Sequence, residues 1–213
     1  MTATITNACK GGMLDSADAD GLDGGTPHLS LHSAFPPSGG NELTGGSPAY
    51  ARQAVTIAAS GGTDTRAMTG TETFDVAAGS TVRAVALYDA STAGTQKCWG
   101  PAGASARRAF AVDAADLTNN DIQSPAHGLA STNRVLFWPT VGAALPTGLS
   151  EDTEYFVIAT GLTTDAFRVS TTEGGSAVDI TAIGDGEVQK YVAETYAGQG
   201  TYQVSAFSVK LPG

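Results

Sequence analysis

Turn signals interrupt this chain roughly every ten residues from Pro27 onward, and that spacing limits its possible folds more than any other feature. Gly61-Gly62-Thr63, Ala77-Ala78-Gly79-Ser80, Asp89-Ala90-Ser91-Thr92-Ala93-Gly94 and Leu145-Pro146-Thr147-Gly148 stand between short runs of alternating apolar and polar side chains. An amphipathic helix needs a longer uninterrupted stretch at 3.6-residue spacing, and little room is left for one. Composition agrees: 27 glycines and only 15% charged residues suit tight turns between short strands better than helices. We expect an all-β chain whose main part is a β-sandwich of jelly-roll type, with one short helix or ordered arm over residues 1–25.

Strands are expected at His28–His32, Tyr50–Ala58, Met68–Val76 and Thr81–Tyr88, and again from Tyr202 to Leu211 with a bulge near Ala206. In the first, Leu29 and Leu31 share one face while His28, Ser30 and His32 share the other, which reads as exposed. Ala84, Ala86 and Tyr88 form a small-residue face suited to close approach by another sheet or subunit. Pro36-Pro37-Ser38-Gly39-Gly40 and Gly45-Gly46-Ser47-Pro48 punctuate a long surface loop that could act as a contact arm.

Residues 109–191 read as a β unit of their own, with strands at Arg134–Trp138, Glu154–Ala159 and Ala166–Thr171 and a hairpin-like turn at Gly184-Asp185-Gly186. The expected core of this unit comprises Val135, Phe137, Leu145, Leu149, Tyr155, Val157, Phe167, Val169, Val178 and Ile180. The pattern before it stops unfinished and resumes after it, so we expect a discontinuous outer domain, 26–108 plus 192–213, with 109–191 inserted. The insertion holds eleven acidic residues and three basic ones, a net of −8 within a chain total of −10. Such a surface repels phosphate backbones and argues against nucleic acid as a partner.

Chemistry-bearing constellations are sparse. Cys9 and Cys98 could pair or remain buried thiols. Asp15, Asp18, Asp20 and Asp23 invite a calcium reading, but alignment on Gly21 puts Ser16 at the first ligand position and Pro27 where a bidentate Glu belongs. No metal site and no cofactor are expected. The histidines, His28, His32 and His127, are not placed for a catalytic triad, and His127 in Pro125-Ala126-His127-Gly128 reads as a turn-bracing residue. Asp116, Asp121, Glu151, Asp152 and Glu154 show no distinguished pair for glycan cleavage, and no glycine pair is followed by the Lys-Ser or Lys-Thr of a phosphate loop. The chain is expected not to be an enzyme. Phe137, Trp138, Tyr155 and Phe156 form the candidate ligand or interface patch, because alternation cannot hide both members of each adjacent pair unless both faces are covered. No apolar run suits a signal peptide or a membrane span.

Five segments, Leu29–Ala34, Asn41–Val55, Phe74–Val82, Ala86–Ala90 and Gly198–Tyr202, together resemble a family of bacteriophage virion proteins, tail fibre or minor tail proteins. Ala126–Leu129, Leu145–Leu149, Glu154–Ile158 and Asp165–Ser170 are similar to a small β module that recurs within phage tail and surface proteins. The resemblance implies a structural component on the exterior of a phage particle, made in the host cytoplasm. It would assemble with other virion proteins and with copies of itself, a trimer if fibre-like, and display its insertion. A head decoration protein and a host-surface or glycan-binding adhesin are the alternatives.

Overall fold

A computed structural model describes residues 26–59, 65–140 and 142–210. The expected arm, Cys9, the Asp15 to Asp23 series and the turn at Gly61-Gly62-Thr63 lie outside the described residues. The described chain is almost entirely β, as expected: β1 (His28–His32), β2 (Gln53–Ala54), β3 (Ile57–Ala59), β4 (Thr65–Met68), β5 (Glu72–Val76), β6 (Thr81–Val82), β7 (Ala84–Tyr88), β8 (Gln96–Pro101), β9 (Arg108–Val112), β10 (Ile122–Gln123), β11 (Arg134–Trp138), β12 (Tyr155–Ile158), β13 (Ala166–Ser170), β14 (Gly184–Tyr191), β15 (Glu194–Thr195), β16 (Gly200–Val204) and β17 (Ser208–Lys210). A single 3-10 turn at Asp116–Thr118 is the helical exception among the described residues. The described residues divide into two compact units, one falling within 1–104 and 192–213 and the other within 105–191.

The first unit is built from open antiparallel sheets. Its largest has the order β2-β1-β7-β8, and smaller ones are β17-β4-β3, β16-β5 and β15-β6. Leu29 and Leu31 of β1 point into one core with Leu43, Phe74, Val85, Tyr202 and Phe207, all at most 6% exposed. Three expected long strands are each split in two. The Tyr50–Ala58 run changes partner at Val55 and Thr56: β2 pairs with β1, while β3 pairs with β4. Gly70, at φ +109°, separates β4 from β5, and Arg83 separates β6 from β7. Between β16 and β17 the chain breaks its pairing so that Phe207 enters the core and its carbonyl accepts from Met68 N–H at 2.8 Å.

The opposite face of β1 is not solvent. His32 and Ser30 are fully buried, and β7 is buried along its whole length. The register pairs His32 with Ala84 and Ser30 with Ala86, so the alanines leave room for the imidazole and hydroxyl beside them. The expectation of exposed strand histidines is therefore corrected for His32; His28 is half-buried.

Residues 105–191 close into a barrel of order β10-β13-β12-β11-β14-β9, which leaves no edge strand. All ten core positions read from the sequence lie in the interior cluster or packed against it, joined by Phe110, Val112, Ile122 and Val188. Phe137 is the hub: Phe110 and Tyr155 meet it edge-on at 5.2 and 5.4 Å, and Phe167 stacks at 6.5 Å. The Gly184-Asp185-Gly186 run is not a turn but the start of β14, paired with β9. Gly186 faces inward opposite Phe110, and a Cβ there would lie 2.6 Å from the Trp138 carbonyl oxygen and 2.7 Å from the Phe110 ring. The glycine serves close packing rather than chain reversal.

Removing the hub ring should leave a cavity that the rigid barrel wall cannot collapse into. Phe137→Ala is expected to cost about 3–5 kcal/mol of barrel stability, read from the midpoint of chemical denaturation with an unchanged slope.

Candidate functional site

The strand period separates the four aromatic residues of the candidate patch. Phe137 and Tyr155 point into the barrel, where the Tyr155 hydroxyl accepts from Ser150 N–H at 2.9 Å. Trp138 and Phe156 point outward but are only 5% and 8% exposed. The Arg107 guanidinium lies over the Trp138 ring at 4.0 Å and pairs with Glu187 at 3.3 Å. Arg134 covers Phe156 at 4.6 Å and pairs with Glu154 at 2.7 Å. The outer rings are thus capped by cation–π contacts instead of forming an open stacking platform. Among the described residues no aromatic side chain is exposed.

His127 braces its turn. Its Nδ1 accepts from Leu129 N–H at 2.9 Å, and its ring meets Phe167 edge-on at 5.2 Å.

The densest polar constellation lies in the other unit and was not read from the sequence. Arg52 donates through Nε and Nη2 to the two oxygens of Glu42 at 2.8 and 2.7 Å, and through Nη1 to the carbonyls of Ala90 and Ala93 at 3.0 and 2.7 Å. Its guanidinium sits 3.7 Å over the Tyr88 ring. His32 stacks on Tyr88 with centroids 6.1 Å apart. Tyr50 donates its hydroxyl to Glu42 at 3.2 Å and accepts from Leu31 N–H at 2.8 Å. Buried charge is tolerable in this form because nearly every donor and acceptor is matched. One knot therefore fixes the 33–52 loop to β1 and the 90–94 turn to that loop. A second clamp acts at Gly45-Gly46-Ser47-Pro48: Gln199 accepts from Ser47 N–H at 2.7 Å and donates to the Pro48 carbonyl at 3.0 Å.

Within the knot, Ser30 Oγ lies 2.8 Å from His32 Nε2, and His32 Nδ1 donates to Asn41 Oδ1 at 2.9 Å. Nucleophile, base and orienting amide stand in triad order. Ser30 is nevertheless fully buried on a strand, its Oγ turned toward the Ala86 carbonyl at 3.3 Å. No substrate atom can be seated beside it, so the arrangement is a structural one.

Above the knot lies an open cleft of about 400 Å³. Pro37, Ser38 and Gly39 form one wall and Ala93 and Gly94 the other, over a floor of Arg52, Tyr88 and Gln96. Among the described residues, no group of three or more His, Cys, Asp or Glu side chains is placed to hold a metal ion.

Residues 24–124 match the model of a family described as podophage GP4 fiber I protein gp80. Over that stretch, a little under half of the chain, the sequence is similar to a phage fibre protein family. It spans β1 to β10, including the loop, the knot and both cleft walls. No curated protein and no solved structure matches the chain.

The knot should make stability depend on acid. Burial holds the His32 imidazole below its usual 6.5, outweighing the opposing pull of Asn41, Glu42 and Ser38. As pH falls through 6.5 the unfolded chain takes up this proton first, so stability is highest above 6.5 and declines toward the lower folded value. Burial alone would raise the Glu42 carboxyl, but its hydrogen bond and charge pairing with Arg52 hold it below its usual 4.5. Its contribution is present above 4.5 and is lost as pH falls through the folded value. Denaturation midpoints taken across pH 8 to 3 should fall in both ranges. Glu42→Gln should cost roughly 3 kcal/mol at neutral pH by leaving the guanidinium half-paired, and should remove the lower of the two declines.

Proposed function

We propose that this phage fibre-like virion protein is a surface-exposed tail fibre or minor tail protein that assembles through the unit of residues 1–104 and 192–213 and displays the 105–191 barrel as an inserted domain. The observation that carries the reading is the family match over residues 24–124, which falls on the segments that the knot ties together. No reaction is assigned. Partners are other virion proteins and further copies of the chain, with a trimer favoured.

Edge chemistry supports the division of labour. An open sheet presents unpaired N–H and C=O groups along its outer strands, which copies of the same chain can cover, whereas a closed barrel presents none. Among the described residues, the open sheets all belong to the first unit. The barrel's chain also begins and ends at adjacent points, as an insertion requires: Ser105 N–H donates to the Lys190 carbonyl at 2.8 Å, and Val192 N–H to the Ala102 carbonyl at 3.0 Å.

Joining Ala104 to Val192 through a short Gly-Ser linker should leave the remaining unit folded and oligomeric by light scattering after gel filtration, while isolated 105–191 should fold as a monomer. Oligomers formed only by the barrel would reverse the assignment. Immunogold labelling of intact particles with an antibody to the barrel should mark the tail. Label spread over the head would make the chain a decoration protein instead.

A further inference from the structure

We propose that the cleft between the 37–39 and 93–94 walls is a binding site for an uncharged, hydroxyl-rich ligand, a neutral saccharide unit. This site would lie outside the barrel, whose outer aromatic rings are capped by arginines.

Its volume is in the range of small-ligand sites, about 300–1,000 Å³. The walls are held in place before any ligand arrives. His32 Nδ1 donates to the Ser38 carbonyl at 3.1 Å, and Asn41 Oδ1 accepts from Ser38 N–H at 3.0 Å, which fixes one side. Arg52 holds the carbonyls of Ala90 and Ala93 on the other side. Gly94, at φ +71°, packs against Asp89, whose carboxylate accepts from Thr95 N–H at 2.7 Å. A ligand would therefore not have to order either loop, and less of its binding free energy would be lost to entropy.

The chemistry of the lining selects against charge. Arg52 is the one charged side chain there, and its charge is matched by both oxygens of Glu42. An anion would find no unpaired cation and would face a chain of net charge −10. A cation would find no unpaired carboxylate in the lining. What remains is the Ser38 hydroxyl and the Gln96 amide N–H₂, the Gln96 carbonyl oxygen being engaged by the Tyr88 hydroxyl at 3.1 Å. Beside these polar groups stand the exposed methyl of Ala93 and the largely buried ring of Pro37. Donors and acceptors next to C–H surface, without net charge, match the alternating hydroxyl and C–H faces of a neutral sugar.

Gly39 allows a decisive variant. Its backbone lies outside the region reserved for glycine, and a Cβ there meets nothing within 4 Å, so Gly39→Trp adds a bulky ring at the cleft wall without a clash at its Cβ. The experiment applies the full chain to an array of neutral and anionic bacterial oligosaccharides and confirms hits by saturation-transfer NMR. We expect retention of one or more neutral glycans and of no anionic ones. Gly39→Trp should abolish binding while leaving the melting temperature unchanged, and Gln96→Ala should weaken it roughly five-fold, the worth of one hydrogen bond. Absence of any neutral hit overturns the proposal, as does binding that survives Gly39→Trp. Loss of self-association in Gly39→Trp without glycan binding would identify the cleft as a contact between copies and also overturn it. None of these outcomes bears on the fibre assignment, which rests on the family match and on particle labelling.

Discussion

The guanidinium of Arg52 is the contact on which the most irregular part of the molecule depends. The loop from Ser33 to Arg52 is too long and too rich in glycine and proline to hold a shape by backbone pairing alone. Its conformational entropy must be opposed by specific bonds, and four of the five Arg52 N–H donors are committed to Glu42 and the 90–94 turn. The Tyr88 ring, which packs against both the Arg52 guanidinium and the His32 imidazole, couples this polar arrangement to β7. A lysine at position 52 could not span the same partners, because its ammonium lacks the planar fork.

Burying that network also explains why β1 and β7 are sequestered on both faces. On one side Leu29, Leu31, Val85 and Leu87 enter the apolar core. On the other, Ser30, His32, Ala84 and Ala86 lie beneath the loop that Arg52 and Asn41 hold down. The two faces are of different kinds: one packs into the apolar core, while the other contains a neutral imidazole and lies beside a paired carboxylate. A strand pair buried in this way couples the titration of two side chains to the position of a surface loop.

The sequence carried the strand content and the barrel interior because both are written in period-two alternation, which burial enforces residue by residue. All ten interior positions read from that pattern are in or against the barrel core. Where the reading failed, the deciding contact was distant in sequence. Gly184-Asp185-Gly186 carries the local signature of a turn, yet Gly186 is glycine because Phe110, seventy-six positions earlier, needs its space. His32 alternates out of the leucine face and so looks exposed; only the loop bonds of Asn41 and Ser38 reveal that this face is covered. Trp138 and Phe156 lie outside the barrel interior, and their arginine caps could not be foreseen, because Arg107 lies thirty-one positions from Trp138 and Arg134 twenty-two from Phe156. Two arginines beside outward rings become a signal once the strand register is known.

Charge is distributed in keeping with these differences. The 105–191 barrel carries eleven acidic residues against five basic ones, and two of its arginines are spent on the outward rings. Copies of such a barrel repel one another, and a closed barrel offers no edge for pairing. In the first unit the exposed tips, Thr44 to Ala49 and Ser91 to Thr95, are uncharged and rich in small residues, and Gln199 or Asp89 holds each in shape. Neutral surfaces of fixed form can approach a neighbour without paying either electrostatic repulsion or loop entropy. The polar residues that brace these loops, Glu42, Arg52 and Gln199, are far apart in sequence from some of the tips they hold, so the form of each neutral tip is set by the fold of the whole unit and not by the tip's own composition.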